Sequence, residues 1–217
     1  MNDFNLVVIT TAINSLTSTS CFTPEMRFLQ VMRSILTVHE KIPNPCIVIL
    51  DTGTMTLEQS KSISPYVKEI YDMQASTLSK NNGEIMMLFR YFTSENFLKL
   101  LPSLSTINKL SGRYFLTERF DFKKHDLTKN LIKLNYHHNA GARIEGRYFR
   151  IPVERFQYFI DHFKECIEKL TKDNLLDTVS IEGIFFQYKV FELEHSVYSQ
   201  HLGVGGNFAC VGRYNED

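Results

Sequence analysis

A chain of 217 residues is long enough for one large domain with a sizeable core. Lysine plus arginine and aspartate plus glutamate both number 24, and this balance argues against a broad nucleic-acid-binding surface. The hydrophobic content of 43% is ordinary for a soluble globular protein, and no apolar run reaches the ~18 residues of a membrane span. Widely spaced cysteines without a CxxC pair, and a start without a basic signal-peptide region, predict a cytoplasmic protein.

The first part of the chain predicts a parallel βαβ unit. Asn5–Thr11 is a continuous apolar run, as in a strand buried on both faces, and Cys46–Leu50 is a second such run. Thr23-Pro24-Glu25 between them has the residues of a helix start. A strand, a helix and a second strand in this order place the two strands side by side and parallel.

Polar residues follow both strands, where open α/β sheets bind ligands. The nucleotide-binding candidates here are Thr10, Thr11, Asn14 and Asp51. The alternatives are an ordinary polar loop and, for Asp51, a cap on the following turn. No GxGxxG follows the first strand, which disfavours a dinucleotide site and a Rossmann-type methyltransferase.

Two later segments have residues suited to an anionic ligand. Lys80 and Gly83 precede a helix predicted from Glu84, whose positive end would stabilise an anion. The stretch 106–121 begins as a strand, stops at Ser111-Gly112-Arg113 and resumes at Tyr114. Gly112 allows close approach to the backbone, and Arg113 supplies a planar fork of donors for phosphate. The alternatives are a solvated lysine and a surface turn.

The second half predicts a hairpin and two helices. Leu131–Tyr136 and Arg143–Phe149 alternate in polarity, as in a small β-hairpin. Pro152 is predicted to open a strongly amphipathic helix, and Ser180 to cap a shorter one that begins with Ile181-Glu182.

Four patches carry a family resemblance. Lys109-Leu110-Ser111-Gly112-Arg113-Tyr114 resembles the K-[IL]-S-G-R-Y signature of GT-A-type nucleotide-sugar glycosyltransferases from polysaccharide clusters. The patches from Lys80 to Glu84, at Ile181-Glu182 and from Leu202 to Gly206 resemble that family's K-x-x-G-E, IE and glycine-rich segments in the same order. The whole also resembles the N-terminal glycosyltransferase domain of a chlorovirus multidomain protein.

The resemblance implies a fold and a set of site residues. It implies one GT-A-like α/β domain over 1–217 with a mixed, mostly parallel sheet, a nucleotide-binding half at 1–105 and a donor and acceptor half at 106–217. Glu182 would be the catalytic base, with Asp177 as its rival. Asp121, Glu118 and His201 would hold a divalent cation, Mn²⁺ or Mg²⁺, although Ser-Gly-Arg stands where such enzymes carry Asp-x-Asp.

The resemblance also implies an activity. The chain would transfer a hexosyl or deoxyhexosyl group from a nucleotide diphosphate sugar such as a UDP-sugar to a glycan acceptor, with inversion. If viral, it would act in the host cytoplasm and could belong to a longer multidomain chain. The alternative from another class is a non-catalytic module that binds a nucleotide sugar or a glycan.

Overall fold

The computed structural model describes residues 4–14, 21–73, 80–137, 141–207 and 214–215. The strands are β1 (Phe4–Thr11), β2 (Pro45–Asp51), β3 (Glu69–Asp72), β4 (Leu104–Ser111), β5 (Tyr114–Leu116), β6 (Asn130–His137), β7 (Gly141–Pro152), β8 (Ser196–Ser199), β9 (Val204–Asn207) and β10 (Tyr214–Asn215). The α-helices are α1 (Pro24–Lys41), α2 (Leu57–Ile63), α3 (Lys80–Phe92), α4 (Glu95–Leu100), α5 (Phe156–Lys172) and α6 (Ile181–Gln187). Among the described residues, no helix is both long enough and apolar enough to cross a membrane.

The central sheet has seven strands in the order β3-β2-β1-β4-β7-β6-β8. The pairs β2–β3, β1–β2, β1–β4 and β6–β8 are parallel, whereas β7 is antiparallel to both β4 and β6. A small antiparallel sheet, β10-β9-β5, lies beside it. The predicted α/β class and the mostly parallel sheet are confirmed.

Two hydrophobic cores lie on the two faces of the sheet because successive side chains of a strand point to opposite sides. On β1, Leu6 and Val8 belong to the core that includes residues of α3 to α6. Val7 and Ile9 belong to the core on the other face, with residues of α1, α2, β5 and β9. The continuous apolar run of β1 is therefore that of a strand covered on both faces.

The predicted hairpin forms, but it belongs to the central sheet. β6 and β7 pair in antiparallel fashion, and β7 also pairs with β4 through Ile107↔Ile151 and its neighbours. The long strand β7 therefore joins the hairpin to the parallel strands. The proposed division of the chain at residue 105 falls inside β4 and stays a prediction.

Two helix boundaries differ from the sequence-based expectation. α3 begins at Lys80, so Gly83 lies within its first turns instead of preceding them. Pro152 ends β7, and a 3-10 turn (Val153–Arg155) separates it from α5. A loop was expected over residues 75–83; of these, 80–83 are helical, whereas residues 74–79 and the side chain of Lys80 lie outside the described part of the chain.

We expect Phe159→Ala to destabilise the fold by about 3–5 kcal/mol, the cost of removing a large buried ring. The Phe159 side chain is buried on α5, and its ring lies 5.3 Å from that of Phe191 and 5.5 Å from that of Phe163. Urea unfolding monitored by circular dichroism measures the change. Leu98→Ala is the matched control, since Leu98 is 52% exposed. Equal losses in both variants would contradict this packing.

Candidate active site

The candidate site lies where the parallel strands β1, β2 and β4 end. Their register pairs Thr11 with Asp51 and Thr10 with Ser111, so the carboxyl ends of the three strands meet at one edge. Ligands of open α/β sheets bind at such an edge. Four of the predicted donor-binding residues are thus brought together.

The break between β4 and β5 places Gly112 against the backbone of β1. Its N–H donates to the carbonyl oxygen of Thr10 at 2.8 Å. A Cβ at this position would lie 3.1 Å from the Thr11 Cβ and 3.2 Å from a Val31 methyl group, so the glycine permits the turn after β4 to pack closely against both β1 and α1. Arg113 follows directly and is half-buried beside this contact.

A buried lysine holds several elements together below this edge. Lys109 of β4 is fully buried, and its ammonium lies 2.6 Å from Oε1 of Glu84 on α3. The same ammonium donates to the Ser111 hydroxyl at 2.6 Å and to the Gly146 carbonyl of β7. Glu84 also accepts a hydrogen bond of 2.8 Å from the Thr10 hydroxyl.

The charge state of Glu84 follows from this network. Burial raises the pKa of Glu84, but the charge and hydrogen bond of Lys109 oppose this, and Thr10 and Arg113 add to their effect. The net result is a pKa below the usual value of a glutamate, so the carboxylate stays ionised at neutral pH. Glu84 is therefore tied to Lys109 as an ion pair.

A bulge in β7 carries the network to Glu182. β6 pairs Leu134 with Ile144 and Ile132 with Phe149, so residues 145–148 of β7 lie opposite Lys133 alone and form a bulge relative to β6. On the other side of β7, Tyr148 stays paired with Leu110 of β4. Such bulges occur next to active sites, where they redirect backbone groups.

Gly146, within this bulge, lies against the predicted base. Its N–H donates to Oε1 of Glu182 at 3.2 Å. A Cβ on Gly146 would lie 2.7 Å from that oxygen and 2.8 Å from a methyl group of Ile181, so the glycine makes room for the carboxylate. As predicted, the Ser180 hydroxyl caps α6, accepting from the Gly183 N–H at 3.2 Å.

Asp51 is fully buried at the end of β2, and its Oδ1 accepts from the Ile13 N–H at 3.0 Å. Its Oδ2 has no hydrogen-bond partner among the described residues. Burial raises the pKa of Asp51 to about 6, and the charge of Asp72 adds to this, whereas the N–H groups of Ile13 and Gly53 and the side chain of Thr11 oppose it. A buried acceptor of this kind is costly unless a ligand group meets it.

Asn14, also predicted to bind the nucleotide, is engaged within the loop. Its side-chain amide donates to the Thr54 carbonyl at 2.5 Å and to Oε1 of Gln59 at 2.8 Å. It therefore fixes the loop after β1 against the start of α2. Gly83 is buried on α3, and a Cβ there would lie 3.4 Å from a methyl group of Thr52.

A second arginine, absent from the sequence-based predictions, lies at the same edge. Arg27 of α1 is half-buried, and its Nη1 donates to the Ala12 carbonyl at 2.8 Å, just past the end of β1. Burial lowers the pKa of Arg27, and the charge of Arg113 lowers it further, whereas Asp51 raises it. The two guanidinium groups and Asp51 are therefore electrostatic neighbours.

The residues predicted to hold a metal do not fit a common metal site. Glu118 is 89% exposed at its side chain and lies 2.8 Å from the Lys41 ammonium. Asp121 is exposed and accepts from the Lys123 N–H at 2.9 Å, and His201 is exposed. No group of three or more His, Cys, Asp or Glu side chains in the described part of the chain could hold a metal ion. A divalent cation stays a prediction without a ligand set.

Asp177, the alternative candidate for the general base, is exposed in a 3-10 turn (Leu176–Thr178) ahead of α6.

The sequence did not identify four members of the site: Arg27, Lys109, Glu84 and Gly146. Lys109 and Glu84 belong to two of the four segments that carry the family resemblance, but nothing in their sequence positions predicts that they form an ion pair. Arg27 has one local signal, its position near the start of α1.

We expect Lys109→Met to destabilise the fold by about 3 kcal/mol, at the lower end of the cost of leaving a buried charge unpaired. The lower end applies because the Glu84 side chain is 28% exposed. Combining Lys109→Met with Glu84→Gln removes both charges and should recover part of the loss. Urea unfolding of the two single variants and the double variant gives the coupling. Strictly additive losses would mean that the pair does not interact.

We expect Asp51→Asn to change how stability depends on pH. The pKa of Asp51 is about 6 in the folded chain and 3.8 for an unperturbed aspartate, as in the unfolded chain, so ionisation costs folded stability as pH rises through this window. Asparagine keeps an acceptor for the Ile13 N–H without the charge. Relative to wild type, the variant should therefore gain up to about 3 kcal/mol between pH 4 and pH 7. Urea unfolding across this range that shows a constant difference would contradict the assignment.

No protein-family model and no curated protein sequence matches this chain. Among solved structures, it is similar to the mannosyltransferase Ktr4p from S. cerevisiae, with a TM-score of 0.56 and 8% identity over 89% of this chain and 68% of that one. It is also similar to the apo form of the glycosyltransferase GlyE from Streptococcus pneumoniae TIGR4, with a TM-score of 0.51 and 12% identity over 89% of this chain and 44% of that one. The chain thus spans less than half the length of GlyE. At these identities the likeness concerns the fold, which is GT-A-like.

Proposed function

We propose that this chain transfers a sugar from a nucleotide diphosphate sugar to a glycan acceptor. The observation that carries the proposal is the connection between a carboxylate and an arginine-bearing turn at the ligand-binding edge of a GT-A-like sheet. The Gly146 N–H donates to the Glu182 carboxylate, and the Gly146 carbonyl accepts a hydrogen bond from the Lys109 ammonium. The same ammonium donates to the hydroxyl of Ser111, at the start of the turn that carries Arg113. The reaction requires a general base that takes the proton of the acceptor hydroxyl, and a positively charged group that binds the diphosphate of the donor.

The donor is a uridine or thymidine diphosphate sugar bound across the ends of β1 and β2. Asp51 supports this proposal, since its buried Oδ2 can accept a hydrogen bond from a base N–H or a ribose hydroxyl. Thr10 and Thr11 lie beside it in register. Arg113 binds the diphosphate with a planar set of donors. The transferred group is a hexosyl or deoxyhexosyl group.

Glu182 is the general base of an inverting transfer. The acceptor hydroxyl oxygen attacks the anomeric carbon, the bond from that carbon to the phosphate oxygen breaks, and its electron pair leaves with the nucleoside diphosphate. The hydroxyl proton passes to Glu182. The hydrogen bond of Gly146 to Oε1 holds the carboxylate in one orientation, as a base of this kind requires.

We expect Glu182→Gln to lower turnover about 100-fold or more while donor affinity stays near that of wild type. Glutamine keeps the shape of the side chain and an acceptor for the Gly146 N–H, but it cannot take a proton. Nucleoside diphosphate release measures turnover, and isothermal titration measures donor affinity. Asp177→Asn is the matched control, because Asp177 is an exposed carboxylate just ahead of the same helix.

The outcomes separate the candidates. Loss of turnover in Asp177→Asn but not in Glu182→Gln would move the role of base to Asp177. Tight binding of a nucleotide sugar by wild type without any turnover would favour the non-catalytic binding module. No binding of any pyrimidine diphosphate sugar would contradict the proposed donor.

A further inference from the structure

We infer that Arg27 and Arg113 form a diphosphate-binding pair that supplies the positive charge for which GT-A enzymes with Asp-x-Asp use a metal ion. This inference rests on the proposed function, since it concerns the leaving group of the same donor. It assigns a role to Arg27, which no motif identified, and it names the ligand chemistry as a pyrophosphate group.

The packing of the turn after β4 against α1 places the two arginines near each other. Gly112, directly before Arg113, packs against Val31, since a Cβ on this glycine would lie 3.2 Å from a Val31 methyl group. Val31 follows Arg27 by four residues on α1, so the two side chains are neighbours on one helix face. The turn that carries Arg113 is therefore packed one helical turn from Arg27.

Each arginine is positioned at the strand ends. The hydrogen bond of Arg27 to the Ala12 carbonyl fixes its guanidinium just beyond β1 and uses one of its five N–H donors. Arg113 directly follows Gly112, whose N–H is bound to the Thr10 carbonyl of β1. Donors from both groups can meet phosphate oxygens in the bidentate manner that guanidinium favours.

Of the two nearby acids, Glu84 is held in an ion pair with Lys109. Asp51 accepts a hydrogen bond from the Ile13 N–H, and its Oδ2 has no hydrogen-bond partner among the described residues. Burial lowers the pKa of Arg27, the like charge of Arg113 lowers it further, and the charge of Asp51 opposes both. The two guanidinium groups therefore repel each other. A pyrophosphate group between them would relieve this repulsion.

The charge change in the reaction fits this pair. When the bond between the anomeric carbon and the phosphate oxygen breaks, the diphosphate takes the electron pair and gains one negative charge. Donors fixed in advance around that group stabilise the transition state. The side chains proposed for a cation fit less well, since Glu118 lies against Lys41 and Asp121 accepts from the Lys123 N–H.

The test is isothermal titration of inorganic pyrophosphate and of uridine diphosphate in buffer with EDTA. Wild type should bind both, and Arg27→Gln and Arg113→Gln should each weaken binding about 10-fold or more, the scale of a hydrogen bond to a charged group. Arg90→Gln is the matched control, because Arg90 is exposed in the last turn of α3. Arg27→Lys keeps the charge without the planar fork and should bind with intermediate affinity.

Circular dichroism melting identifies any variant that does not fold, and Arg27→Lys then replaces Arg27→Gln. Binding that appears only after Mn²⁺ is added, or equal affinities in Arg27→Gln and Arg90→Gln, would overturn the inference. Pyrophosphate binding needs no sugar transfer, so metal-free binding without turnover would support this pair and contradict the proposed function. Turnover that requires Mn²⁺, with no metal-free binding, would contradict this pair alone.

Discussion

The rest of the site depends on the fully buried ammonium of Lys109. A buried charge is stable only when hydrogen-bond acceptors surround it, and Lys109 draws these from three places: Glu84 on α3, Ser111 on its own strand and the Gly146 carbonyl on β7. Meeting this requirement ties the parallel part of the sheet to the antiparallel strand β7. It also fixes the bulge from which the Gly146 N–H reaches Glu182.

At the ends of β1, β2 and β4, beside this network, the described protein atoms satisfy the hydrogen bonds and balance the charges of the polar groups only in part. Asp51 is buried with one oxygen that has no partner among the described residues, and two arginines lie within electrostatic reach of each other. Both features cost folded stability, and strain of this kind is typical of sites that are completed by a ligand. A nucleoside diphosphate would supply a hydrogen-bond donor to the Asp51 oxygen and negative charge to the two arginines.

Local sequence signals made part of the fold and of the candidate site predictable. The break at Ser111-Gly112-Arg113 follows from a glycine between two short strand-like segments, and the start of α6 follows from Ser180. Contacts between distant segments left no such signal, because Gly146 is one glycine in an alternating strand and Arg27 one cation on an amphipathic helix. The β6–β7 hairpin was predicted, but its place beside β4 depends on tertiary packing.

The central claim is that this GT-A-like chain catalyses glycosyl transfer at the edge formed by β1, β2 and β4. Proton NMR of purified protein with a panel of pyrimidine diphosphate sugars and glycan acceptors tests it most directly, since one spectrum reports donor loss, the new linkage and its anomeric configuration. The account predicts release of the nucleoside diphosphate together with a glycosidic bond of inverted configuration. Donor binding without any new linkage across the panel would contradict it.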